Sequence, residues 1–198
     1  MADALTTTWD AYRRAESVEA FAECLLPWLE GTEPHHPGHC GPPAPETQPL
    51  LGNLRSIIRA GVLPTSSQPS FSGSRLRQVE YLELILPPHH DVARLASGWS
   101  RIRGCQVEVW PLSAQHSRPC TRTPVTWSLG RPCTWLGRWG WDDVFADLPV
   151  KELHPLLRDE LASAWAVSVI GPQSMRSNDC EQPTIRTITH SLTREDRR

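Results

Sequence analysis

Nineteen prolines are scattered through these 198 residues, and they set the first limit on the fold. A proline inside a helix removes a backbone hydrogen bond and clashes with the preceding turn, and in a sheet it is confined to edges and ends. Few long uninterrupted elements are therefore expected. The chain must be a succession of short helices and strands joined by fixed turns. Its length suits one globular domain, and 39% hydrophobic residues with nine tryptophans are enough to fill a core.

Hydrophobic spacing places the elements. Val18, Phe21, Leu25, Trp28 and Leu29 recur at helical intervals over 17–30, with Ser17 suited to cap the start, Pro27 to bend or end the run and Gly31 to stop it. The stretch 31–45, rich in Pro and Gly, reads as a loop. A second helix follows with Thr47 as N-cap, Pro49 in the first turn, an apolar face from Leu50 to Ile58 and Gly61 as its stop. Val62 and Leu63 begin a strand that runs into a hydroxyl-rich turn, Thr65-Ser66-Ser67-Gln68. Residues 78–86, QVEYLELIL, are apolar on both faces apart from two Glu, the mark of an interior strand.

Further on, 91–103 carry a third helical pattern, 105–109 alternate as a half-buried strand and 111–124 read as a loop. TPVTWSL and CTWLGRW suit short strands, 149–163 a helix interrupted by Pro155, and 164–170 a β-rich run. Beyond Met175 the hydrophobic density falls. The expectation is an α/β or α+β fold with a mixed sheet core flanked by helices. It forms one domain over 1–174, followed by a polar, partly disordered tail over 175–198.

A formal net charge of −2 and scattered Arg residues exclude nucleic acid as the expected partner. The start, MADALTTTWDAYRR, lacks the apolar core of a secretion signal, and no apolar run approaches the ~20 residues that span a bilayer. A soluble cytoplasmic protein that does not engage a membrane is expected. The six cysteines, 24, 40, 105, 120, 133 and 180, form no C-x-x-C pair and read as small buried hydrophobes.

His35, His36, His39 and Cys40 are the densest set of metal-ligand side chains, of the types that zinc prefers. A solvated loop explains the same residues, because nothing downstream offers a matching knuckle and His89 and His90 have no obvious geometric link to them. No strained nucleophile turn, Walker motif or dinucleotide fingerprint occurs. Cys105 and Cys133 sit in apolar, strand-like context and read as inert, and Asp142-Asp143 as a helix start. The Trp-rich stretch 135–141 fits a core or an exposed stacking surface. For the hydroxyl-rich turn, two readings stand: a ligand site at a strand end, or a turn satisfying its own backbone.

Several segments, taken in order, resemble the C-terminal regulatory domain of eukaryotic methylenetetrahydrofolate reductase. They are Leu29-Glu30-Gly31, Pro45-Glu46-Thr47 before a Leu-rich helix, Gly61-Val62-Leu63 running into Ser67-Gln68-Pro69, Gln78-Val79-Glu80-Tyr81-Leu82-Glu83, Val125-Thr126-Trp127 and Trp165-Ala166-Val167-Ser168-Val169. The chain also resembles a stand-alone actinobacterial family of unknown function through Trp28-Leu29-Glu30-Gly31, Pro45-Glu46-Thr47, Arg59-Ala60-Gly61 and Ser67-Gln68-Pro69. The reductase likeness implies a non-catalytic module binding S-adenosylmethionine or S-adenosylhomocysteine through Glu46, Thr47, Ser67, Gln68 and Thr126. A carboxylate would accept from the ligand's ammonium or ribose, Ser and Thr would meet its polar edges, and Thr47 at an N-cap would bring the positive helix end to a carboxylate.

The chain departs from that family at Pro64, which replaces a Thr and removes a backbone donor, and it lacks the catalytic barrel that the domain regulates. Two alternatives follow: a protein-interaction module that kept the fold and lost the pocket, or an enzyme acting on a small nucleotide-like substrate with Glu46 as base.

Overall fold

The computed structural model describes residues 9–113, 123–136, 141–172 and 183–195. Helix α1 (9–14) is followed by α2 (Val18–Glu23), capped by Ser17, whose side chain accepts the Ala20 amide at 3.0 Å. The helical run breaks at Cys24 and resumes as α3 (Leu26–Leu29). The break precedes Pro27 because a proline ring cannot sit over the carbonyl one turn back; Pro27 falls instead in the first turn of α3. Within the expected loop, β1 (His35–His36) and β2 (His39–Cys40) form a small hairpin.

Pro45 starts the next element early. Pro45–Leu50 is a 3-10 turn that leads into α4 (Leu51–Arg59), so Thr47 lies inside that turn, its amide donating to Ala44 O at 2.8 Å. The expected N-cap role of Thr47 is therefore corrected: Ala44 holds that position and makes no side-chain cap. The helix stops as expected at Gly61, whose φ of +72° is open to glycine at little cost.

The hydroxyl-rich segment is strand rather than turn. Leu63–Gln68 is β3, followed by β4 (Phe71–Ser72), β5 (Leu76–Gln78) and β6 (Tyr81–Leu86). All six residues of β6 are buried, so it needs neighbours on both edges. Helix α5 (Val92–Trp99), capped by Asp91, leads to β7 (Gln106–Pro111); then come β8 (Thr123–Ser128) and β9 (Arg131–Leu136). A short α6 (Trp141–Val144) and a 3-10 turn (Val150–Glu152) precede α7 (Pro155–Ser163), which Pro155 begins rather than interrupts. Strand β10 (Trp165–Ile170) and helix α8 (Pro183–Glu195) complete the described chain.

The strands form two four-stranded sheets, ordered β3-β6-β10-β7 and β4-β5-β8-β9, and every pairing is antiparallel. Val167 of β10 lies between Leu84 of β6 and Val109 of β7. Helices α2 and α4 pack on β3, α5 on β7 and α8 on β6 over one main core, an α+β architecture whose sheets are antiparallel rather than mixed as expected. The chain crosses between sheets at Val79-Glu80, where Val79 N donates to Val125 O at 2.8 Å and Gly171 N to Glu80 O at 2.7 Å. Val79, Tyr81, Val125, Leu136 and Ile170 fill a second, smaller core there.

Helix α8 corrects the expected tail over 183–195; residues 175–182 and 196–198 lie outside the described residues. Ile185, Ile188 and Leu192 recur at helical spacing and are fully buried, with Thr, Arg and His between them lowering the mean hydropathy. The buried Glu80 holds the start of this helix, its Oε1 accepting the Ile185 amide at 3.0 Å. Burial pushes the Glu80 carboxyl up, against hydrogen bonds from Ile185 and Thr184 that pull it down. No helix among the described residues is long and apolar enough to cross a membrane.

Candidate functional site

Three short pieces of chain converge around a cleft of about 350 Å³: strand β3, the 3-10 turn and the β1–β2 hairpin, closed behind by Leu25, Trp28 and Leu29 of the α2–α3 region. The volume lies within the range of small-molecule pockets. The hairpin is fixed at both ends. Trp28 Nε1 donates to Gly41 O at 2.8 Å, and the Gly41 amide donates to His35 Nδ1 at 2.9 Å. At the hairpin tip Gly38 has φ +90°, and a Cβ there would come within 2.5 Å of Val144 O, so only glycine fits.

Strand β3 contributes five consecutive lining residues, Pro64 to Gln68. It is an edge strand, the place in a sheet where a proline is tolerated, and its pairing with β6 shifts register between Pro64 and Ser66. Thr65 is the extra residue in that bulge. Bulges bend an edge and re-aim side chains, which is how a strand can turn successive residues toward one concavity.

Of the five residues implied by the reductase likeness, four line this cleft: Glu46, Thr47, Ser67 and Gln68. Glu46 is exposed and Thr47 and Ser67 half-buried. Gln68 is buried and its amide is fully engaged within the protein. Its Nε2 donates to Val79 O at 3.0 Å and Val125 O at 3.4 Å, and its Oε1 accepts from Thr126 Oγ1 at 3.1 Å and Gln78 Nε2 at 3.3 Å. Thr126 does not line the cleft. It is 5% exposed, behind Gln68, and its hydroxyl is spent on that side chain. Gln68 and Thr126 therefore bolt the two sheets together where the chain crosses between them.

The cleft also holds residues that the hydroxyl motif and the likeness did not mark. Trp28, His36 and His39 form an aromatic wall, with ring centroids 4.2 Å apart for Trp28–His36 and 5.9 Å for the stacked His36–His39 pair. Burial is the main reason that His36 is pushed down to about 4; a hydrogen bond with the Pro37 backbone works against it and His39 adds to it. At neutral pH His36 is therefore an uncharged ring. Tyr81 donates to or accepts from Ser66 Oγ at 3.1 Å, and burial pushes its phenol up. Among the described residues no Lys or Arg lines the cleft, and Glu46 is its one acidic side chain. The composition suits a neutral or cationic guest.

The metal candidates do not gather. His35 is engaged by Gly41, His36 meets Trp28 edge to face and stacks on His39, and Cys40 is exposed; among the described residues no three His, Cys, Asp or Glu are arranged to hold a metal ion. Cys105 is half-buried, whereas Cys133 is exposed on the edge strand β9, which corrects its expected burial. Asp142 opens α6 as expected and accepts the Val150 amide at 3.0 Å. In the Trp-rich stretch Trp141 is core and Trp135 is 45% exposed, while 137–140 lie outside the described residues.

The fold and the cleft define a class: a domain of two antiparallel sheets and packed helices that presents a small-molecule-sized concavity at a sheet edge. The family model that matches residues 7–191 is described as a domain of unknown function (DUF6919), and the chain belongs to that family. No curated protein matches it.

Proposed function

We propose that this protein is a non-catalytic binding module for a small adenosyl compound, S-adenosylmethionine or S-adenosylhomocysteine, held in the cleft beside β3. The observation that carries this reading is convergence. Glu46 and Thr47 on one segment, and Ser67 and Gln68 on another some twenty residues later, line a single cavity. Glu46 would take the ligand's ammonium or ribose hydroxyls, and Thr47 and Ser67 its remaining polar edges. Gln68 acts by holding the wall rather than by contacting the ligand. The likeness to the reductase regulatory domain supports the choice of ligand.

Titration calorimetry and thermal melts with both compounds test it. Ligand at a hundred times its dissociation constant stabilises by about 2.7 kcal/mol. For a chain of this size that corresponds to a melting-temperature rise of roughly 5–10 °C. Glu46→Ala should remove most of the rise. Absence of heat and of any shift at millimolar ligand would end the proposal.

A second reading, a protein-interaction module, draws on the other sheet, where Phe71, Leu129 and Trp135 are 51%, 73% and 45% exposed. It requires that Trp135→Ser abolish capture of a partner from the native host.

A further inference from the structure

Five large hydrophobic side chains are exposed among the described residues, and they fall into two groups. Phe71, Leu76, Leu129 and Trp135 belong to the second sheet and its turns, whereas Leu156 lies on α7. The hairpin tips of that sheet, 73–75 and 129–130, are neighbours, with Leu129 N donating to Arg75 O at 2.7 Å. Leu129 serves neither backbone nor core. It is 73% exposed and holds a φ of 50°, where a side chain with a Cβ is disfavoured. An apolar group that costs free energy in the lone molecule recovers it only in contact with something else.

The two groups differ in charge. Residues 71–78 and 123–136 carry exposed Arg75, Arg77 and Arg131 and no Asp or Glu. From Asp142 to Glu160 the chain carries six acidic side chains against Lys151 and Arg158. The bond from Val150 N to Asp142 ties α6 to the turn before α7, and exposed Asp159 stands one helical turn from Leu156.

We propose that the second sheet of one molecule docks head to tail on the α6–α7 face of a second copy, with Leu76 and Leu129 against Leu156 and Arg75 and Arg131 against Asp159 and its acidic neighbours. This rests on the interaction reading of the second sheet and names its partner. The symmetric alternative would set two arginine-bearing sheets face to face, where like charges repel. A head-to-tail contact leaves one sheet and one helix face free, so association continues past a dimer into rings or chains. The contact is small and charged, so its affinity should be micromolar and weakened by salt.

Sedimentation equilibrium on the full chain tests it. At about 50 mM salt the mean mass of wild type should rise beyond that of a dimer between about 5 and 200 µM, and fall back in about 0.5 M salt. Two double variants each remove one half of the contact: Leu129→Asn with Arg131→Glu on the sheet, and Leu156→Gln with Asp159→Lys on the helix. Each alone should be monomeric, with a melting temperature close to or above that of dilute wild type. Mixed in equal amounts they should form a one-to-one dimer and nothing larger, because the mixture holds one intact sheet–helix pair.

A wild type that stays monomeric, a variant that assembles as wild type does, or a mixture that stays monomeric would each overturn the proposal. A monomeric wild type that binds phosphatidylserine vesicles, single-stranded RNA or a host protein through the sheet would give that face a different occupant. If host-protein capture is lost in Trp135→Ser, only this inference falls. If capture is unchanged in Trp135→Ser, the interaction reading falls with it.

Discussion

Replacing Gln68 by Leu tests whether its side chain is a fastening between sheets or a ligand group. The change keeps the volume and removes both polar ends. Thr126 Oγ1 loses its acceptor at 3.1 Å, and Val79 O loses a donor at 3.0 Å, in surroundings where Gln68 and Thr126 are 8% and 5% exposed. Each buried group left unpaired costs about 1–3 kcal/mol. The leucine returns about 1 kcal/mol through its larger apolar surface. The net loss should be about 2–4 kcal/mol, a fall of roughly 5–15 °C in melting temperature for a domain of this length.

Urea unfolding of wild type, Gln68→Leu, Thr126→Val and the double variant separates the pair from its surroundings. Once Gln68 is gone, removing the Thr126 hydroxyl relieves an orphan instead of creating one. The double variant should therefore be less destabilised than the sum of the singles by at least about 0.5 kcal/mol. Additive losses, or a Gln68→Leu protein as stable as wild type, would refute the assignment.

The other predictions concern pH and backbone. His36 lies at about 4 in the folded protein against an ordinary 6.5, so on acidification the unfolded chain takes up the proton first. Stability should then fall between about pH 6.5 and 4 by at most about 3 kcal/mol, and the difference between wild type and His36→Phe in urea unfolding at pH 7 and 4.5 should report it. Glu80→Ala should free the start of α8 at a cost of about 1–2 kcal/mol, with faster amide exchange at 185–192, whereas Glu80→Gln keeps an acceptor for Ile185 without the charge that burial disfavours, and should be neutral or stabilising. Leu129 and Gly130 join β8 to β9 with φ values of 50° and 76°, a pair of left-handed residues in a two-residue hairpin, so Leu129→Asn should raise stability by about 0.5–1 kcal/mol in thermal melts. Gly38→Ala should displace the hairpin, since both its φ and Val144 O oppose a side chain, and thereby lower the melting temperature and weaken ligand binding.

Local rules were legible where one residue type decides the outcome. Ser17 caps the helix it precedes, Gly61 ends α4, and the largely apolar run of β6 is interior. They failed where two local rules compete. Thr47 is a good cap residue, but Pro45 two places earlier fixes its own φ and starts the turn there. The α8 stripe was hidden because its buried residues are separated by polar ones and a composition average blurs them. At the site, the Ser-Gln motif located β3 correctly but not the roles of its members. Whether Gln68 faces a ligand or another strand depends on Thr126, some sixty residues away, and nothing local encodes that. Trp28 and His36 meet only because the hairpin folds back, a contact set by Gly38 and Gly41 rather than by spacing.

Strand order has a consequence for synthesis. Strands β6 and β7, complete by residue 111, never touch; β10, at 165–170, fills the gap between them and pairs with both along its whole length. A ribosome therefore releases the buried β6 and the half-buried β7, each with an edge left open, well before the strand that joins them exists. The principal sheet closes only once residues 165–170 have emerged. Nascent chains stalled before residue 165 should carry the exposed edges that chaperones recognise, and a truncated product ending there has no route to the native sheet.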